Sequence, residues 1–163
     1  MNMIAAVDKN WGIGKNNGLL DNIPEDMRYF REKTYGKAVI MGKNTFLSFP
    51  NQKPLPNRMN IVLTHDNTFA PDGVTVCDSI DKAIAAARSE YKDEDIFVIG
   101  GQAVYVAMET LCDRAYITKI DNEYDADKYF PNLDEKKEWR IVSEEMLKTE
   151  EGLYITFVTY AKG

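Results

Sequence analysis

Two adjacent carboxylates, Glu25 and Asp26, follow Pro24 in the stretch Ile23-Pro24-Glu25-Asp26-Met27-Arg28-Tyr29-Phe30. Proline presets the first turn of a helix, and acids placed there meet the positive end of its dipole. Stabilising that terminus is the plain reading of both residues. Helical geometry separates them. At about 100° per residue, Ile23, Met27, Phe30 and Thr34 form one mostly apolar face, with Asp26 about 65° from its middle and Glu25 about 165°. Glu25 is therefore expected to face water, within reach of Arg28 or Tyr29. Asp26 is expected at the edge of the apolar stripe, where partial burial raises a carboxyl pKa. A carboxyl group held in this way beside a long loop suits proton chemistry.

Two other places join a buried strand, a glycine and a helix start: Val39-Ile40-Met41-Gly42-Lys43-Asn44-Thr45 and Val98-Ile99-Gly100-Gly101-Gln102-Ala103-Val104-Tyr105. Each offers free backbone N–H groups at the carboxyl end of a strand, and two such sites on one sheet suit the pyrophosphate of a dinucleotide. Neither is a GxGxxG fingerprint or a Walker loop, and a simple turn is the plain reading of each. Other chemistries lack their residues. With one histidine (His65) and two distant cysteines (Cys77 and Cys112), no zinc finger, HExxH or His-rich metal site can be assembled, so no metal is expected. No nucleophile elbow surrounds His65, which removes the usual triads.

The elements that must position these groups alternate. Residues 3–7, 38–41, 60–63, 74–77 and 96–99 are short apolar runs that predict buried strands, and 24–34, 44–49, 79–91 and 102–111 predict helices. That alternation predicts a mainly parallel sheet covered on both faces. Residues 114–120, 139–143 and 153–160 predict further strands, expected as antiparallel additions at the sheet edge. Residues 8–22, with Gly12, Gly14 and Gly18, predict a long loop between the first strand and the first helix, the kind that often closes over a ligand.

The 163 residues suffice for one domain with a real core, burying roughly two-thirds of the chain's surface. A formal net charge of −6 argues against a nucleic-acid or anionic-membrane partner, although a local positive pocket can still take an anionic ligand. No run approaches the roughly 18 apolar residues of a membrane span, and the first residues lack the basic start of a signal peptide. A cytoplasmic protein with reduced thiols is the expectation.

The residues in order carry a resemblance. Ile4-Ala5-Ala6, Trp11-Gly12-Ile13-Gly14, residues 23–30, Val39 to Thr45, Pro54-Leu55-Pro56-Asn57-Arg58, Ile61-Val62-Leu63-Thr64, Val98-Ile99-Gly100-Gly101, Tyr116-Ile117-Thr118-Lys119-Ile120-Asp121 and Asp127-Lys128-Tyr129-Phe130-Pro131 resemble the dihydrofolate reductase family across essentially the whole chain. Each piece alone is unspecific, whereas the ordered series is very specific. The resemblance implies an α/β fold in a single domain over 1–163: a central eight-stranded, mostly parallel sheet with an antiparallel C-terminal strand, flanked by four helices. It implies NADPH-dependent reduction of 7,8-dihydrofolate to tetrahydrofolate for one-carbon metabolism, with hydride to C6 and a proton to N5, in a cytoplasmic monomer.

The resemblance makes Asp26 the acid at the pterin and Thr118 its hydroxyl partner. It places Ile4, Ala5, Met27, Phe30, Phe49, Leu55 and Ile99 around the substrate, and Arg58 on the substrate's glutamate α-carboxylate. A planar guanidinium can grip a carboxylate bidentately, as a lysine cannot. Toward NADPH it places Ala6, Ile13, Gly14, Gly18, Leu19, Gly42, Lys43, Asn44, Thr45, Leu63, Thr64, His65, Gly100, Gly101, Gln102, Ala103, Val104 and Tyr105, with 12–19 as a mobile loop and a cis Gly100-Gly101 bond. The 2′-phosphate is expected near Lys43, Thr64 and His65.

The sequence departs from the family's usual pattern at two points. Leu20 and Asp21 stand where a Pro-Trp pair is usual, and Lys43 where an arginine is. Asp21 has two readings: it turns to water, or it stands at the pocket rim and raises the pKa of Asp26 by like charge. Two other functions remain open on the residues: a reductase of the same fold acting in riboflavin synthesis, and a silent folate- or nucleotide-binding protein. The Asp26-to-Arg58 constellation favours a folate over the first, and an intact Asp26 with Thr118 argues against the second.

Overall fold

Runs such as Val39-Ile40 and Ile61-Val62 are apolar on both faces and so must be covered on both sides. In the computed structural model, which describes residues 1–16 and 18–163, they lie on interior strands of one sheet. The strands are β1 (Asn2–Val7), β2 (Gly12–Lys15), β3 (Gly18–Leu19), β4 (Ala38–Gly42), β5 (Met59–Leu63), β6 (Val74–Cys77), β7 (Ile96–Gly100), β8 (Arg114–Ile120), β9 (Lys128–Tyr129), β10 (Trp139–Lys148) and β11 (Tyr154–Lys162). The helices are α1 (Pro24–Thr34), α2 (Lys43–Leu47), α3 (Ile80–Arg88) and α4 (Gln102–Met108). Eight strands form the main sheet in the order β10-β11-β8-β1-β7-β4-β5-β6, and β11 alone is antiparallel to the other seven.

The chain winds outward from β1 to β4, β5 and β6, returns to β7 between β1 and β4, and then crosses to β8 on the far side of β1. Reversal of winding leaves a crevice outside the carboxyl ends of the central strands, where such sheets bind ligands. One face packs Ile4, Val39, Met41, Phe46, Val62, Phe97 and Ile99 beneath Tyr29 and Phe30 of α1. The opposite face carries the larger core, including Met3, Ile40, Ile61, Val98, Tyr105 and Ile117. Among the described residues, no helix is long and apolar enough to cross a membrane.

Several expectations need correction. β8 is not an antiparallel addition, because it pairs in parallel with β1, with Ala6 opposite Thr118. α4 and a following turn of 3-10 helix (Glu109–Leu111) carry the chain across for that parallel pairing, which needs a crossover connection. The glycine-rich stretch 8–22 is not all loop: β2 pairs with β3 and with β9, forming a second, three-stranded sheet. A Cβ on Gly14 would stand 2.7 Å from the carbonyl oxygen of Gly18, so glycine is required for that close pairing. β10 continues to Lys148, beyond the expected 143, as a solvent-facing edge strand carrying Glu144 and Glu145. α3 is shorter than 79–91, although Ser79 caps it as expected by accepting the Lys82 N–H at 3.2 Å.

Candidate active site

The first turn of α1 brings Asp26 over β8, where the buried Thr118 hydroxyl donates to Asp26 Oδ1 at 2.6 Å. Burial lifts the Asp26 carboxyl above its ordinary pKa, and the Thr118 hydrogen bond opposes the lift by favouring the anion. The neighbouring acid behaves differently. Glu25 Oε2 accepts the backbone N–H of Glu150 at 2.8 Å, and that bond holds its pKa down. The helical phase therefore separates the two carboxylates as the apolar stripe predicts, although the partner of Glu25 is the β10–β11 turn rather than Arg28 or Tyr29. Tyr29 stacks on Phe157, with ring centroids 4.1 Å apart.

Asp21 is held elsewhere. It accepts a hydrogen bond from the Tyr124 hydroxyl at 2.6 Å, and its charge is not among those that shift Asp26. Of the other groups expected at the substrate, Ile4, Phe30, Phe49, Leu55 and Ile99 share one apolar cluster. Ala5 packs instead against the core of the opposite face, and Met27, on α1, is half exposed. Arg58 is partly buried, with a buried Nε that has no hydrogen-bond partner. Burial first, and then the positive charge of nearby Arg31, hold its pKa below the ordinary value. A desolvated guanidinium N–H without an acceptor, beside a second arginine, marks a place that favours an anion.

The two glycine segments meet. β4 and β7 are neighbours, Met41 lies opposite Gly100, and the Thr45 hydroxyl lies beside both glycines of the pair. A Cβ built on Gly100 or Gly101 would stand 3.4 Å or 3.6 Å from Thr45 Oγ1, and one on Gly42 would stand 3.3 Å from Val104. Gly100 also has φ +128, in the region that side-chain-bearing residues avoid, and the Gly100-Gly101 bond is cis. The three glycines let the carboxyl ends of β4 and β7 and the backbone that follows them approach closely, an arrangement whose free N–H groups suit an anionic group.

Lys43, Thr64 and His65 lie at the adjoining ends of β4 and β5. Leu63 packs against the main core, and Ala6 against Ile23, Ile120 and Ile155. Ile13 and Gly14 lie on β2, Gly18 and Leu19 on β3, and Asn44 and Ala103 are exposed. Gln102 accepts the Tyr129 N–H at 2.7 Å, and the buried Tyr105 hydroxyl donates to the Ile4 carbonyl at 2.6 Å. The second contact is a strut under the site. Three further contacts have no counterpart among the sequence expectations: Asp66 pairs with Lys43 at 2.7 Å, Arg31 lies near Arg58, and Tyr124 donates to Asp21. Only the turn-forming run Asp66-Asn67-Thr68 carries a local signal, since partners distant in sequence leave no local pattern.

A doubly wound sheet with a half-hidden acid at β8, a glycine-lined gap at β7 and β4, and a lysine at the end of β4 has the layout of a nucleotide-dependent oxidoreductase. The comparisons narrow the class. A family model described as Dihydrofolate reductase matches residues 1–162. The chain is 38% identical over 164 aligned positions to a dihydrofolate reductase of Bacillus subtilis (strain 168), covering 99% of this chain and 94% of that one. It is 38% identical over 149 positions to one of Haemophilus influenzae, covering 91% and 89%. The structure of dihydrofolate reductase from Enterococcus faecalis complexed with NADP(H) and RAB-propyl superposes with a TM-score of 0.89 at 31% identity, covering 99% of this chain and 95% of that one. The chain belongs to the dihydrofolate reductase family.

Proposed function

We propose that this chain reduces 7,8-dihydrofolate to 5,6,7,8-tetrahydrofolate, consuming NADPH and one proton and releasing NADP+. The observation that carries the reading is the Asp26–Thr118 pair, a carboxyl group raised by burial at the mouth of an apolar cluster. Bound NADPH supplies the hydride that C6 of the pterin receives. The chain's own residues do the rest. Asp26 accepts hydrogen bonds from the pterin amino group and ring, and raises proton affinity where N5 must gain its proton. Thr118 fixes the carboxylate through Oδ1. Ile4, Phe30, Phe49, Leu55 and Ile99 exclude water from the ring. Arg58, with an unpartnered Nε, takes the α-carboxylate of the glutamate tail.

The backbone cradle at Gly42 to Thr45 and Gly100 to Gln102 holds the cofactor's diphosphate, and Lys43 with Thr64 and His65 faces its adenosine end. The reading extends to one folded domain that works as a cytoplasmic monomer without nucleic-acid partners. A net charge of −6 and two buried, unbridged cysteines support it. The test is direct. Purified protein mixed with NADPH and dihydrofolate should lose nicotinamide absorbance only when both are present, and a steady absorbance would overturn the reading. A riboflavin-type pyrimidine in place of dihydrofolate should give no loss.

A further inference from the structure

The outer end of the cleft holds a closed ion pair. Lys43 Nζ donates to Asp66 Oδ2 at 2.7 Å, with both side chains about one-third exposed. The carboxylate is fixed on a turn rather than carried on a flexible arm. Its Oδ1 accepts the Thr68 N–H at 3.0 Å and the Thr68 hydroxyl at 2.6 Å, while the Asp66 N–H donates to Thr64 Oγ1 at 3.1 Å. Lys43 also lies over the Phe69 ring, 5.5 Å from its centroid. Farther out, Asp78 pairs with Lys82 at 2.8 Å. Each of these two lysines already has a carboxylate partner, so this rim offers little net positive charge.

Strand order gives the direction in which a dinucleotide must lie. Asp26 and Thr118 stand at β8 beside β1, the glycine cradle at β7 and β4, and the Lys43–Asp66 pair at β4 and β5. Neighbouring strands are about 4.8 Å apart, so the acid and the ion pair are separated by about 15–20 Å. A dinucleotide with its reactive ring toward Asp26 and its diphosphate over the glycines therefore lays its adenosine ribose over Lys43 and Asp66. This placement rests on the proposed function above.

We propose that Asp66 is a specificity-determining residue that opposes a phosphate at the ribose 2′ position and so narrows the enzyme's preference for NADPH over NADH. A 2′-phosphate arriving at Lys43 meets a carboxylate already bonded to the ammonium and must share or displace it. A 2′-hydroxyl can instead donate a hydrogen bond to the same carboxylate. The hydrogen bonds from Lys43 and Thr68 keep Asp66 ionised far below neutral pH, so this opposition persists at working pH.

The test is the dissociation constants of NADPH, NADH, 2′,5′-ADP and 5′-AMP, measured by calorimetry on the intact protein. Asp66→Asn removes the charge and keeps the oxygen that caps Thr68. It should tighten NADPH and 2′,5′-ADP by about three- to tenfold, the scale of one partly exposed charge, while NADH and 5′-AMP hold steady or weaken. The gain should shrink between about 20 mM and 500 mM salt. Lys43→Ala should weaken NADPH more than NADH. Asp66→Ser, which also retains a capping oxygen, should reproduce the shift if the first variant folds poorly. Asp93→Asn makes the same net-charge change at the opposite end of the sheet and should leave the NADPH:NADH ratio alone. An unchanged or lower ratio in folded Asp66→Asn or Asp66→Ser would overturn the proposal. Parent protein that binds neither dinucleotide would overturn the proposed function, and this inference with it.

Discussion

Thr118→Val removes one hydroxyl at nearly constant shape and should change how Asp26 titrates. The 2.6 Å bond from Thr118 to Asp26 Oδ1 is charge-assisted when the carboxyl is ionised. Such bonds contribute about 1.5–3 kcal/mol net, and one pKa unit corresponds to about 1.4 kcal/mol. Losing the bond should therefore raise the Asp26 pKa by about one to two units, because burial then acts without its opposing partner. On the proposed function, activity needs the proton affinity that Asp26 confers, so it should fall as pH rises through the pKa of the enzyme–substrate complex. That fall should move to more alkaline pH by about one to two units in Thr118→Val. The assay is kcat between about pH 5 and pH 9, with thermal melts at each pH to confirm folding. An unmoved midpoint, or one moved toward acid, would refute the claim that Thr118 stabilises the ionised form.

Arg58→Leu should weaken dihydrofolate binding by about 2–4 kcal/mol, and much less for a pterin lacking the glutamate; equal losses would exclude a grip on the tail. Asp26→Asn should melt at a higher temperature than the parent at pH 7. The folded-state pKa lies above the ordinary 3.8, so ionised Asp26 destabilises the fold increasingly as pH rises from that value through the raised one. The advantage should vanish below about pH 4, and its absence at pH 7 would contradict the burial argument. Asp21→Asn should leave the pH midpoint unmoved even at low salt, because its carboxylate is occupied by Tyr124; an acid shift would restore direct coupling to Asp26.

What the chain reveals in advance follows the range of the interactions involved. α1 runs over the expected 24–34 because Pro24 sets its start and its apolar face repeats locally, and the same local logic separates Asp26 from Glu25. β8 spans the expected 114–120 but runs parallel to β1 rather than antiparallel, since direction depends on a crossover and not on the strand's own residues. The β2–β3 hairpin was hidden by its glycines and by its pairing with β9 more than a hundred residues later. β10 outruns the expected 139–143 because Glu144 and Glu145 break the apolar pattern, although a solvent-facing edge strand carries such charges readily. The site divides in the same way: Asp26 was legible from helical phase, whereas its partner Thr118 came from resemblance alone. The Lys43–Asp66 and Asp21–Tyr124 contacts depend on tertiary approach between distant segments.

On the proposed function, Asp26 provides the proton affinity for reduction of the pterin. Its most direct test is the dihydrofolate-dependent rate of NADPH oxidation at pH 7, measured at saturating concentrations of both, for the parent and for Asp26→Asn. The variant should fold, still bind NADPH and turn over at least about a hundredfold more slowly, the low end of what a positioned acid contributes. A folded Asp26→Asn protein with near-parental turnover would contradict it.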